Sequence, residues 1–359
     1  MSPMTTVELS IVIPLFNEER ALPHLFKSLE RQKDICCEVI FCDGGSQDGS
    51  LELLNGYANR SHHQIKVVST ERGRGRQMNQ GAEIASCSRL LFLHADSVCR
   101  CSSFLRAALN DFRAAEKRCA PVPIAAHFTL QFGGCHSDGR FYQYLSEKSH
   151  LNRQGTIYGD QGMLMSKRLW LQVGGFSTSQ PILEDVLFAD AVMEHGKWIL
   201  LPQQIETSNR RYQEEGCIRR AVKNGLLLIV AGTGFTSLLS STSVLGSYHH
   251  APCSASKLSS SAVSLHRMTL TSYVSFWYGC GRGVAQHLWI VVFAASWGVP
   301  WLTGTQRRAL LDRYDRYGAT LLLHPFSYTF FAVLSWFVFY LTYLCLPLNW
   351  LVQCRDEQH

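Results

Sequence analysis

Residues 9–19 read LSIVIPLFNEE, a short apolar run that stops in a turn holding two acids and no glycine. A run this short suits a strand covered on both faces, as in a parallel sheet, better than a buried helix. Leu22, Leu25, Phe26 and Leu29 then recur at helical spacing within residues 19–32, and the alternation repeats. Residues 37–42 (CEVIFC), 65–69 and 89–94 (RLLFLH) read as three more strands, with helices expected over residues 51–58, 78–85 and 102–117. Such alternation implies a Rossmann-like α/β domain, a mostly parallel sheet with helices on both faces.

Ligands of such sheets sit beyond the carboxyl ends of the strands. There the sequence places FNEE (16–19), DGGSQDG (43–49), ERGRGRQMNQG (71–81) and HADS (94–97). A dinucleotide-binding fold would carry GxGxxG after its first strand, so the glycine-free turn speaks against a nicotinamide or flavin cofactor. Each loop has a plain alternative: Asp43 with two glycines makes a tight turn, and Asp48 or Asp96 can cap a helix. Arg72, Arg74 and Arg76 alternate with glycine, as in solvated or nucleic-acid-binding segments. Directly ahead of a helix, they favour an anion held by backbone N–H groups and guanidinium.

Composition divides the chain. Of 359 residues, 46 % are hydrophobic and 17 % charged, with a mean hydropathy of −0.02. The charged share is low against the ~25 % of an average soluble protein. Residues 1–224 carry 26 Lys+Arg and 24 Asp+Glu; residues 225–359 carry 8 and 4, with no acid between Asn224 and Asp312. The near balance in the first part speaks against an extended phosphate footprint, and so against a nucleic-acid partner. The 13 cysteines form no CxxC pair, which points to free thiols rather than zinc or a disulfide framework.

In combination the loops resemble the inverting family 2 glycosyltransferases, which have a GT-A fold and use nucleotide-diphosphate sugars. IVIPLFNEE is similar to that family's first strand and donor-binding turn, and EVIFCDGGSQDGS to its second strand and nucleotide-binding loop. GRGRQMNQGA, LLFLHADS, YGDQGM, GGF, LEDV and TSNRRY follow in the order of one bacterial-type subgroup associated with arsenosugar biosynthesis. The resemblance covers residues 7–220 and implies a hexosyl-type transferase.

It also implies roles. Pro14, Asn17, Glu18 and Asp43 would line the base and ribose pocket, Arg74 and Gln77 would face the diphosphate, and Asn79 would brace the loop. Asp96 corresponds to the last aspartate of a DxD motif that holds Mn²⁺ or Mg²⁺. His94 occupies the motif's first position, where it is either a ligand favouring Mn²⁺ or a hydrogen-bonded strand-end histidine. Glu184–Asp185 resembles the ED motif, with Asp185 as base and Glu184 orienting it or contacting the acceptor; acids also favour helix starts on electrostatic grounds alone. Arg210–Arg211–Tyr212 resembles the RRW element, its arginines clamping the leaving diphosphate and Tyr212 lying near the acceptor. Asp160 and Gln161, with Tyr158 and Gly159, would floor the acceptor or sugar site. Transfer with inversion needs cationic stabilisation of the leaving group and a base on the opposite face of the sugar.

Beyond residue 220 the expected organisation is a Ser-rich linker over 221–282 with a weak candidate span at 225–246, then a membrane region over 283–359. Within it, 283–306 is a second candidate span. Residues 326–352 carry no charge, roughly 40 Å of helix against a ~30 Å hydrocarbon core. Arg307, Arg308, Arg313 and Arg316 belong on the cytosolic side. With a cytosolic catalytic domain, the chain would have one span or three. A membrane anchor invites a lipid-linked acceptor. The competing readings are a non-catalytic GT-A-like membrane scaffold and an RNA-binding protein using the RGRGR loop.

Overall fold

The computed structural model describes residues 7–133, 139–153, 155–179, 182–231, 233, 269–299 and 302–339. The chain divides into two compact units, Met1–Glu214 and Glu215–His359.

In the first unit, β1 (Leu9–Leu15), β2 (Cys37–Asp43), β3 (Gln64–Ser69) and β4 (Arg89–Phe92) alternate with α1 (Leu22–Glu30), α2 (Ser50–Ala58) and α3 (Arg74–Ile84). Next come α4 (Phe104–Cys119), β5 (Ile124–Gly133), α5 (Arg140–Ser149) and a 3₁₀ turn at Gly159–Gln161. The unit continues through β6 (Met163–Ser166), α6 (Lys167–Val173), α7 (Glu184–His195) and β7 (Lys197–Ser208), and α8 (Arg210–Glu215) begins at its end. The seven strands form one sheet in the order β3-β2-β1-β4-β6-β5-β7, in which β6 alone runs antiparallel. This is the expected mostly parallel α/β domain.

Two boundaries differ from the sequence reading. Helix α3 starts at Arg74, ahead of its first apolar residue, because its opening turn is polar and invisible to hydrophobic periodicity. Strand β4 stops at Phe92 rather than His94, and β1 causes it. Val12 accepts a hydrogen bond from Leu93 N at 3.1 Å, so alternate residues of β1 turn their polar edge to β4. Pro14 is next on that edge and has no N–H to donate. The ladder ends, and residues 93–97 leave the sheet at the β1/β4 switch point, where the chain's strand order reverses.

The core that carries this edge packs Val12, Ile40, Met78, Phe92 and Met163 against Phe176 and Phe188. Phe176 stacks on Phe188 at 4.1 Å and meets Phe92 edge-on at 4.9 Å, which fixes the turn leading into α7.

The second unit holds α9 (Cys217–Ala231), α10 (Leu270–Gly298), α11 (Gly304–Arg313), a π-helical turn at Tyr314–Gly318, α12 (Ala319–Leu322) and a helical segment over 325–339. Both ends of the expected 221–282 linker are therefore helical. The 283–306 candidate is not one helix. Helix α10 begins thirteen residues earlier, and α11 starts afresh where Thr303 and Gln306 form a reciprocal capping box. Most of the 225–246 candidate and residues 340–352 of the third lie outside the described residues. Among the described residues, no helix is long and apolar enough to cross a membrane.

Candidate active site

The first two loops interlock. Asn17, in the left-handed region at φ 54°, accepts Gln47 N at 2.8 Å, while its own N–H donates to Ser46 Oγ. Glu18 N donates to Ser50 Oγ and Glu19 N to Asp48. Asp43 is buried and accepts the N–H groups of Gly45 and Ser46 at 3.0–3.2 Å, which curls the DGGS loop around its carboxylate. Phe16 carries the Arg72 guanidinium 4.0 Å above its ring. The turns after β1 and β2 are thus one rigid wall at the carboxyl edge.

Helix α3 ties this wall to the rest of the site. Gln77 is placed differently from the diphosphate-facing role expected of it. It is buried, and its amide donates to Leu15 O and Cys42 O, both at 2.7 Å, bridging the ends of β1 and β2. Asn79 exchanges two 2.8 Å hydrogen bonds with the backbone of Phe176. Arg74, at the first turn of α3, reaches Glu184 at 3.1 Å.

Glu184 and Asp185 open α7 and point to different partners. The buried Glu184 faces Arg74; burial raises its pKa against the opposing pull of that arginine. Asp185 accepts Gly159 N at 2.7 Å and Val186 N at 2.9 Å. A Cβ at Gly159 would stand 2.6 Å from His94 Nε2 and 3.1 Å from Asp185 Oδ2, so only glycine lets these groups close around the turn. Burial pushes the next residue, Asp160, up to about 7, with the charges of Asp185 and Asp96 adding to the effect. Glu18 is raised in the same way, by burial and then by Asp96, against Arg210 and Arg211. Gln161 is buried and donates to Thr156 O.

The strand-end residues His94 and Asp96 and the arginine element close the site. Burial, and then Arg74 and Arg211, hold the His94 imidazole well below its usual range. Arg210 stands 3.7 Å from Glu18 Oε2. Tyr212 joins an aromatic cluster with Phe132, Phe141 and Tyr142 at 5.4–6.1 Å. One functional candidate has no motif around it: Lys148, on α5, donates to the Tyr158 hydroxyl at 3.1 Å and feels the charge of Asp160. Burial lowers its pKa. Only the packing of α5 beside the turn at Gly159–Gln161 could have revealed it.

The donor chemistry fits a divalent cation. His94 Nε2 and Asp160 Oδ1 are buried without a hydrogen-bond partner, and the charge of Asp96 bears on both Glu18 and Asp160, that of Asp185 on Asp160. Among the described residues, no three His, Cys, Asp or Glu side chains already stand at ligand spacing.

Residues 10–169 match the glycosyl transferase family 2 model. An uncharacterized glycosyltransferase of Synechocystis is 37 % identical over 97 residues, 25 % of this chain and 30 % of that protein. The undecaprenyl-phosphate 4-deoxy-4-formamido-L-arabinose transferase of Pseudomonas fluorescens is 33 % identical over 90 residues, 24 % of this chain and 26 % of that protein. The matches thus span less than a third of the length of these relatives. Among solved structures, the mannosyltransferase PcManGT from Pyrobaculum calidifontis, in complex with GDP-Man and Mn²⁺, aligns with a TM-score of 0.49. That alignment has 18 % identity and covers 88 % of this chain and 89 % of that one.

Proposed function

We propose that this chain transfers a sugar, of hexosyl type, from a nucleotide-diphosphate donor with inversion at the anomeric carbon. The observation that carries the reading is the division of labour at the start of α7. Consecutive residues hold an arginine, Arg74, and present a carboxylate, Asp185, beside the strand switch point. Asp43 and the interlocked loops hold the nucleoside, and Arg74, Arg210 and Arg211 face the diphosphate. Asp185 takes the acceptor proton as the new bond forms. A divalent ion held by Asp96, with Asp160 and His94 alongside, would supply further positive charge to the leaving group. Glu184 acts through Arg74.

The acceptor is either a hydroxyl or a lipid phosphate; the Pseudomonas relative is named for undecaprenyl phosphate, which makes the second a concrete candidate. Membrane attachment of the second unit, with the first on the cytosolic side, is supported by the charge-free run 326–352 and the arginines at 307–316. A screen of UDP- and GDP-sugars against the full-length chain, with and without Mn²⁺, tests the reading. Binding of one donor and its slow hydrolysis are expected. Absence of any nucleotide binding overturns it.

A further inference from the structure

The helical segment over 325–339 turns a large apolar face outward. Phe326, Phe330, Val333, Leu334, Phe337 and Val338 form one broad face at helical spacing, and all are exposed, Phe326 by 82 % and Phe330 by 64 %. The opposite side packs on α10, where Ala332 joins Phe276 and Trp277, Phe339 lies 5.6 Å from Trp277, and the backbones approach closely at Gly281. A Cβ on Gly281 of α10 would collide with the Tyr328 carbonyl and the Ala332 backbone nitrogen. Gly279 and Gly283, each about half a turn from Gly281 and one turn from each other, let α9 and the residue just past it approach, a Cβ there lying 2.9 Å from Thr233 Cα and 3.1 Å from Ile229 O. An exposed apolar face of this extent marks a surface that meets another apolar phase or partner.

The polar groups of the same segment point the same way. Ser327 Oγ donates to Leu321 O, Tyr328 OH to Leu323 O, Thr329 Oγ1 to Pro325 O, and Trp336 Nε1 to the Tyr273 hydroxyl at 2.7 Å. Polar groups that face hydrocarbon need internal partners of this kind, whereas groups that face water do not. The segment's 15 residues span ~22 Å, and the sequence continues without a charge to Val352.

We propose that this face docks on a lipid bilayer, its phenylalanines lying among the acyl chains, with the Gly279–Gly283 stretch of α10 as the scaffold that presents it. The proposal rests on the membrane reading of the second unit and is independent of the transferase reading. Its test is flotation of the full-length chain with phosphatidylcholine–phosphatidylglycerol vesicles, beside the Phe330→Glu/Phe337→Glu variant. The wild type co-floats, and equally so in high salt because apolar burial drives it; the variant partitions at least tenfold less while its melting curve is unchanged. Equal flotation of both, or wild-type flotation lost in salt, overturns the proposal. So does a wild type that stays with the solvent as a dimer which the variant dissociates, since the occupant is then a second copy. Should the variant fail to fold, quenching of wild-type tryptophan fluorescence by brominated-chain lipids decides. No quenching overturns the proposal.

Discussion

Arg74 Nη1 stands 3.1 Å from Glu184 Oε1, and the carboxylate it meets is almost wholly buried. The pair joins the first turn of α3 to the first turn of α7. Removing the arginine strands a buried carboxylate, so Arg74→Met should destabilise the protein by about 3–5 kcal/mol, less wherever Glu184 takes up a proton. The double variant Arg74→Met/Glu184→Gln should cost clearly less than the two single changes together. Urea unfolding of the four proteins measures this, and strict additivity would show that the contact carries no energy.

Asp185 is the test of chemistry. Asp185→Asn keeps an oxygen to accept the Gly159 N–H, so the turn before β6 should hold. Loss of the base should lower kcat by roughly 10²–10⁴ with donor affinity unchanged. Full activity towards hydroxyl acceptors would sink the assignment. Activity that survives only with phosphate acceptors would identify a nucleophile already ionised.

Much of the sheet was legible because β1 and β2 are buried along their whole length and therefore appear as mostly apolar runs, interrupted only by Ser10, Glu38 and Asp43. The end of β4 was not, because a proline on the neighbouring strand sets it. The start of α3 was hidden by its polar first turn, and Gln77 was read from its place in a motif although its amide bridges two strand ends. Glu184 and Asp185 could be picked out as a pair, but nothing in their adjacency says that one turns to α3 and the other to Gly159. Lys148 acquires meaning only once α5 is folded against the turn at Tyr158. Apart from the start of α3, each of these features is decided by a partner distant along the chain.

Asp43 ties the shape of the DGGS loop to the proposed nucleotide pocket. Asp43→Ala leaves the N–H groups of Gly45 and Ser46 without their acceptor, at a cost of about 1–3 kcal/mol. Calorimetric titration with UDP and GDP should show binding lost. Asp43→Asn, which keeps one acceptor oxygen, should recover part of the stability and little of the affinity. Unchanged nucleotide affinity in both variants would remove Asp43 from the pocket.

At the opposite edge of the sheet, Glu38 isolates stability from catalysis. Burial alone would raise its carboxyl, but hydrogen bonds from Lys66, Ser10 Oγ and Ser86 N outweigh it and hold the group below its ordinary value of 4.5. A carboxyl depressed on folding contributes stability that is present above its unfolded value and lost as the pH falls through the folded one. Wild-type stability should therefore drop between about pH 5 and pH 3 more steeply than that of Glu38→Gln. Near pH 7 the variant should be the less stable of the two, because Lys66 and Ser10 have lost a charged partner. Urea unfolding across this range reads both effects, and parallel curves for the two proteins would show that Glu38 titrates alike in the folded and unfolded chains.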